Sequence, residues 1–374
     1  MIRTTRANPT GGALRRRRVA LVASVAVAGS LVLAACGGSS SDGADATKAS
    51  TTTTAAPVTA APAGHEATGP AVPSKGCGAG AGSTSELTLD KQFVDDSDRW
   101  FLVTTPGATA ADEPLPLVLD FHGLAEGADI HAKLSDLAPF AQAHGFILVS
   151  PNGTGSPVRW QVDPDMATNP DLQYTSDVLD QVEAEHCVDT SRVYATGLSN
   201  GAFMSSTLAC AMSDRIAAVA PVSGLTHPDG CAPTRPVPIL AFHGTADPIL
   251  LFNGGIGDKL GHVLGTADGS PDAPLPEADL NGKGYPATAQ AWATDNGCTG
   301  RPDDTDLTKT VVKRTWDCPA DGTTEFVIVK GGGHSWPGSA FSQKIVNAVG
   351  PTDMSVVADQ LIWSFFQRFQ LPAT

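Results

Sequence analysis

Short apolar runs alternate along this chain with stretches whose apolar positions recur every three or four residues. Residues 115–121 and 146–150 are nearly continuous apolar runs, the pattern of strands buried on both faces of a parallel sheet. Between them, 130–143 has helical spacing. Residues 86–94 and 99–105 alternate as an opening antiparallel pair should. Further on, 174–186 and 202–212 predict helices, 193–196, 216–222, 237–242, 310–315 and 325–329 predict strands, and 356–369 closes the chain as an amphipathic helix. The succession predicts an α/β architecture: a mostly parallel central sheet with helices on both faces. Residues 250–285, rich in Gly, Asp and Pro, interrupt it and predict an insertion beside whatever site exists.

The first 75 residues do not follow this pattern. Arg15, Arg16, Arg17 and Arg18 precede the apolar run 19–35, which is too short to span a bilayer and predicts an export signal over residues 1–35. The run ends in Leu33-Ala34-Ala35-Cys36-Gly37, which resembles a bacterial lipobox. Cys36 would then be the lipidated first residue of the mature protein, the alternative being an ordinary cleavage site beside a cysteine. The four arginines also leave twin-arginine export open. Residues 36–75, made of Gly, Ser, Thr, Ala and Pro, predict a flexible tether spanning about 35 Å. The folded domain is expected over 76–374.

Charge narrows the partners. Removing residues 1–35 takes six basic residues and no acidic ones, leaving 18 basic against 39 acidic, a net −21. Such a surface repels nucleic acid and anionic lipid, so membrane attachment would come from the lipid on Cys36. Cysteine usage points outside the cytoplasm: besides Cys36 there are six, Cys77, Cys187, Cys210, Cys231, Cys298 and Cys318. Three disulfides fit. Cys298 with Cys318 and Cys210 with Cys231 are the local choices and leave Cys77 with Cys187, among 15 connectivities.

One motif carries chemistry. Gly197-Leu198-Ser199-Asn200-Gly201 follows a predicted strand and precedes a predicted helix, the setting of a G-x-S-x-G nucleophile elbow. A serine hydroxyl needs a base to take its proton, and that base needs an acid to orient it. Asp247, in a loop straight after the strand 237–242, is the expected acid. His334, on the glycine-shaped loop Gly331-Gly332-Gly333-His334 after 325–329, is the expected base. His227 and His243 compete less well: His227 precedes the acid and His243 lies too near its strand end. The backbone N–H groups of Asn200 and of Leu124, in Phe121-His122-Gly123-Leu124, are the expected oxyanion donors. No His or Cys spacing suits a metal, and no glycine-rich segment has the pattern that cradles a phosphate or dinucleotide. Hydrolysis without a cofactor is therefore expected.

Residues 188–201, 217–224 (Ala-Ala-Val-Ala-Pro-Val-Ser-Gly), Phe242-His243-Gly244-Thr245-Ala246-Asp247 and Gly333-His334-Ser335-Trp336-Pro337-Gly338 together resemble the family of polyhydroxybutyrate depolymerases and feruloyl esterases, over about residues 76–370. Gly76-Cys77-Gly78 resembles its secreted feruloyl esterase branch. The resemblance implies an α/β-hydrolase fold and a secreted serine esterase with Ser199, Asp247 and His334 as its triad. Its substrate would be a small or polymer-linked ester, of hydroxybutyrate, feruloyl or acetyl type. It also implies a structural role for Asp177 at the head of the helix before the nucleophile strand, and a place in the substrate wall for Trp336, with His122 a second wall candidate. Gly201-Ala202 stands where relatives often have two glycines, and no appended polymer-binding domain is present in the sequence. A peptidase or thioesterase could use the same triad, and a non-catalytic surface-binding lipoprotein would keep the fold without needing it.

Overall fold

The computed structural model describes residues 67–78, 90–94, 98–107, 112–264 and 274–372. The signal, Cys36 and most of the tether lie outside these residues. Ten strands form one sheet: β1 (Asp90–Phe93), β2 (Trp100–Thr104), β3 (Leu115–Phe121), β4 (Ile147–Pro151), β5 (Val188–Leu198), β6 (Ala218–Val222), β7 (Ile239–Gly244), β8 (Thr299–Asp306), β9 (Val311–Asp317) and β10 (Thr324–Val329). Their order is β1-β2-β4-β3-β5-β6-β7-β10-β9-β8. The run from β4 to β10 is parallel, and β1, β2, β8 and β9 flank it antiparallel.

Alternation within each parallel strand builds two cores. Leu117, Leu119 and Phe121 of β3, with Val193 and Ala195 of β5, share one apolar cluster, while Val118, Tyr194 and Leu198 belong to the other. Successive strand side chains point to opposite faces, and here both faces are covered, which is why these segments are apolar throughout. On the first face lie α3 (Pro170–Glu185), α4 (Asn200–Ala211) and α6 (Tyr285–Asp295). On the second lie α1 (Ala128–Ser135), α2 (Leu137–His144) and α9 (Ala358–Phe366). Three further short α-helices lie among the described residues: α5 (Asp258–Leu264), α7 (Ala340–Lys344) and α8 (Val346–Val349). The strand order and parallel core are those of an α/β-hydrolase fold.

Several local expectations change. The segment 130–143 is two helices, because Asp136 adopts φ 54° and ends the first. The helix expected from 174 begins at Pro170, N-capped by Asn169, whose side chain accepts from the N–H groups of Asp171 and Leu172. β8 and α6 were not expected. The end of the tether is not loose either. Ala67 N–H donates to Gln367 O (2.8 Å), Val72 N–H to Asp189 Oδ1 (2.9 Å), and Ser74 N–H to Val188 O (2.8 Å), so residues 67–75 form a strap on the domain. The three disulfides are Cys77–Cys187, Cys210–Cys231 and Cys298–Cys318.

Candidate active site

Ser199 sits on the turn between β5 and α4 with φ 58° and ψ −116°, a conformation that costs a non-glycine residue free energy and persists only where its surroundings enforce it. The enforcement is steric. A Cβ on Gly197 would lie 2.5 Å from the Phe121 carbonyl oxygen, and one on Gly201 would collide with the same atom. Only glycine at both positions lets α4 leave β5 this close to β3. The Asn200 side chain fastens the turn from outside, its Oδ1 accepting from Trp160 N–H (2.7 Å) and its Nδ2 donating to Trp160 O (3.2 Å).

Asp247 lies just beyond β7 and His334 just beyond β10, so both reach the sheet edge at which β5 delivers Ser199. Ligand and reaction sites of open α/β sheets lie at this carboxyl edge. His334 Nδ1 stands 2.8 Å from Asp247 Oδ2. Asp247 Oδ1 accepts from Ile249 N–H (2.8 Å) and Leu250 N–H (2.9 Å), so the buried carboxylate is saturated and cannot swing away. The histidine loop is anchored as firmly. His334 N–H donates to Val349 O, Gly333 N–H to Pro351 O, and Ser223 Oγ to Ser335 O.

Ser199 and His334 open together into a cavity of about 370 Å³. Leu198, Phe203, Ile249, Leu250, Leu260 and Val349 make its walls largely apolar, and Gly123, Leu124, Glu126, Arg159 and Asn200 contribute polar groups. Such a cavity suits a small organic ligand oriented by a few polar contacts. The insertion expected over 250–285 thus lines the site, through Leu250, Ile256 and Leu260. Ile256, 53% exposed, also lines a second cavity of about 360 Å³ with Ala246, Pro248, Lys259 and Leu275.

Both expected oxyanion residues border this cavity. Asn200 opens α4, whose first N–H groups have no partner within the helix. In the turn after β3, Gly123 N–H donates to Glu126 Oε2 (2.8 Å), Ala125 N–H to Val158 O (2.8 Å) and Glu126 N–H to Gly123 O (3.3 Å). The Leu124 N–H has no acceptor among the described residues.

Three expectations for individual side chains are corrected. Trp336 is no wall of the site. Its ring is 1% exposed in the second core, and its Nε1 donates to Asp359 Oδ1 of α9 (2.7 Å), a partner the chain brings in from 23 residues away. His122 is also buried rather than lining the cavity. Its Nε2 accepts from Gly153 N–H (2.9 Å), which fixes the proton on Nδ1, the atom 2.7 Å from Gly123 O. Burial lowers its pKa to about 4, so it is a neutral brace. Asp177 is exposed in the middle of α3. The acid at the helix head is Asp171, 1% exposed and 2.7 Å from the Arg99 guanidinium.

The competing histidines are occupied elsewhere. His227 pairs with Asp295 (2.7 Å). His243 is buried against the Tyr285 ring, its Nε2 2.9 Å from Leu250 O and 3.4 Å from Asp247 Oδ2, and burial lowers its pKa to about 4.

Beneath the Gly123 turn lies a group no motif announced. His131, fully buried, holds Asp120 Oδ1 at 2.8 Å through Nε2 and Glu126 Oε2 at 3.2 Å through Nδ1, while Ser135 Oγ donates to Asp120 Oδ2 (2.8 Å). Burial alone would lower the His131 pKa, but the Asp120 charge and the hydrogen bonds to both carboxylates outweigh it and raise the value to about 10. Glu126 is held below its ordinary pKa: burial opposes this, and the His131 hydrogen bond and charge, with the Gly123 N–H, overcome it.

The "Esterase PHB depolymerase" family model matches residues 99–259. Feruloyl esterase B of Piromyces equi is 27% identical over 281 residues, 73% of this chain and 46% of that enzyme. Putative esterase NocK of Nocardia uniformis subsp. tsuyamanensis is 31% identical over 266 residues, 67% of this chain and 74% of the relative. The chain therefore spans less than half the length of the Piromyces enzyme. Among solved structures, an acetyl xylan esterase from Aspergillus awamori superimposes with a TM-score of 0.48 at 15% identity, over 70% of this chain and 98% of that one.

Proposed function

Since the chain belongs to the esterase family of polyhydroxybutyrate depolymerases and feruloyl esterases, we propose that it is a serine carboxylesterase acting outside the cytoplasm. The observation that carries this reading is the 2.8 Å contact of His334 Nδ1 with a fully engaged Asp247, beside a cavity that Ser199 shares. His334 Nε2 takes the Ser199 proton as Oγ attacks the ester carbonyl carbon. Asp247 fixes the imidazole tautomer and stabilises the imidazolium that forms. The tetrahedral oxyanion receives the N–H groups of Leu124 and Asn200. His334 then protonates the departing alkoxide, leaving an acyl-Ser199. Water, deprotonated by His334, attacks that carbonyl and releases the acid with Ser199 restored.

The apolar walls favour an apolar or aromatic acyl group, and the names of the relatives point to feruloyl and acetyl esters of polysaccharides or to hydroxybutyrate esters. Three disulfides support an oxidising compartment. A lipid on Cys36 would tether the domain to a membrane; a Cys36→Ala protein that still partitions with membranes would count against it. The central test is turnover of p-nitrophenyl butyrate by wild type and Ser199→Ala. The variant should lose at least about a thousandfold in kcat, and equal rates would overturn the reading. A panel of hydroxybutyrate oligomers, methyl ferulate and acetylated xylan, with a thioester and a peptide as controls, assigns the substrate.

A further inference from the structure

Among the charged groups that the catalytic scheme leaves unused, one cluster lies directly under the oxyanion turn. Glu126 Oε2 accepts the Gly123 N–H (2.8 Å) while His131 Nδ1 grips the same oxygen (3.2 Å). His131 is held in turn by Asp120 of β3, and Asp120 by Ser135 of α1. On the other side of the turn, His122 Nδ1 donates to Gly123 O (2.7 Å). Gly123 is thus clamped at both of its backbone polar groups, by the buried His122 ring and by the partly exposed Glu126 carboxylate.

The clamp has a directional consequence. In a trans peptide the C=O of one residue and the N–H of the next point in opposite directions. Holding Gly123 O against His122 therefore turns the Leu124 N–H the other way, and Leu124 borders the cavity that Ser199 and His334 share. The N–H groups of Gly123, Ala125 and Glu126 are all taken, so Leu124 supplies the one N–H of this turn left over for a ligand among the described residues.

We infer that Glu126 is a positioning residue for the oxyanion hole: its Oε2, braced by the buried His131–Asp120 pair, holds the Gly123 N–H while His122 holds the Gly123 carbonyl, and the two together fix the Gly123–Leu124 peptide so that the Leu124 N–H meets the developing oxyanion without reorganising. A donor fixed in advance lowers the barrier, whereas one that must be ordered during reaction loses that advantage. The ion cluster serves this geometry. A lone carboxylate at the cavity wall would be free to rotate into solvent, and the His131 cation keeps it in place. Glu126 Oε1 takes part in neither bond, which makes glutamine a clean substitute: its amide oxygen can occupy the Oε2 position and keep both contacts.

The inference rests on the serine esterase reading, and kinetics of wild type, Glu126→Ala, Glu126→Asp and Glu126→Gln on p-nitrophenyl butyrate separate the two. Glu126→Ala should lower kcat about tenfold to a hundredfold with KM within about twofold, because the loss is confined to the transition state. Glu126→Asp, one methylene short of Gly123, should fall in the same range and serves where the alanine variant fails to fold. Glu126→Gln should recover most of the loss. A boronic acid inhibitor, whose tetrahedral adduct needs the same donors, should weaken in Ki by the factor that kcat/KM falls. Unchanged kcat in both the alanine and aspartate variants, a rise confined to KM, or a glutamine variant as impaired as alanine would each overturn the inference while leaving the esterase reading intact. A wild type without esterase activity would remove both.

Discussion

The α-carbon of Gly201, in the first turn of α4, lies against the carbonyl oxygen of Phe121, the last residue of β3. The Ser199 turn is thereby wedged onto the strand that leads into the Gly123–Leu124 turn. A side chain at Gly201 would drive the two apart, so Gly201→Ala should affect both stability and rate. We expect a loss of about 2 kcal/mol or more, from the clash with rigid backbone, and a melting point lower by several degrees. Activity should fall further than stability explains. Calorimetry and p-nitrophenyl butyrate kinetics on the same preparation check this.

Trp336 follows His334 by two residues yet belongs to the core, and substitution should show it. Trp336→Phe leaves Asp359 without its Nε1 donor, which should cost about 1–3 kcal/mol, while KM for small esters stays unchanged. A KM that rises several-fold at unaltered stability would return Trp336 to the substrate wall.

Asp359 also gives the fold a pH dependence. Burial, reinforced by the charges of Asp120 and Asp136 and opposed by the Trp336 hydrogen bond, raises its pKa from the usual 3.8 to about 7. Between those values the folded state binds more protons than the unfolded one, so this residue makes stability fall as pH rises through the window. Asp359→Asn keeps an acceptor for Trp336 and removes the proton. Its melting point should vary less with pH than that of wild type from pH 4 to 7 and exceed it above pH 7. Parallel curves would contradict the assignment.

His131 acts in a different window with the same sign. Its folded pKa of about 10 lies above the ordinary 6.5, so its contribution to stability is complete below pH 6.5 and is lost as pH rises towards 10. Replacing it with glutamine should flatten the alkaline limb of the melting-point profile, measured from pH 6 to 10.

The disulfides should rank by the loops they close. Cys77–Cys187 spans 110 residues, against 21 for Cys210–Cys231 and 20 for Cys298–Cys318. Chain-entropy arguments assign about 4.8 kcal/mol to the long loop and about 3.3 kcal/mol to each short one. Paired serine substitutions should therefore lower the denaturation midpoint most at Cys77 and Cys187. Urea unfolding of the three double variants tests the order.

What the sequence made legible follows from the physics of each element. β3, β5, β7 and β10 are apolar on both faces because both faces are covered, and that signature survives in the sequence alone. The elbow was legible because its steric demand leaves glycines at two fixed offsets from a serine, and Asp247 and His334 because each follows such a strand. β8 was not, since Thr-Gly-Arg-Pro-Asp-Asp-Thr-Asp is a polar edge strand whose pairing with β9 is supported by the Arg314–Asp304 ion pair (2.7 Å). Position along the chain said nothing about which way Trp336 or His122 would face; that was decided by Asp359 and Gly153, distant partners brought in by the fold. The His131 cluster was hidden for the same reason, because Asp120, Glu126 and His131 match no motif and acquire meaning only once β3 and α1 pack together.

The strap formed by residues 67–75 binds at the start of β5, where Val188, Asp189 and Thr190 hold it, while Ser199 lies at that strand's far end. The regular part of β5, residues 193–198, separates the two by about 20 Å. The polypeptide therefore enters the domain on the side opposite the mouth of the cavity. No residue of the strap lines the cavity, so the contacts that fasten the chain at Val188, Asp189 and Thr190 leave the approach to Ser199 and His334 uncovered by it.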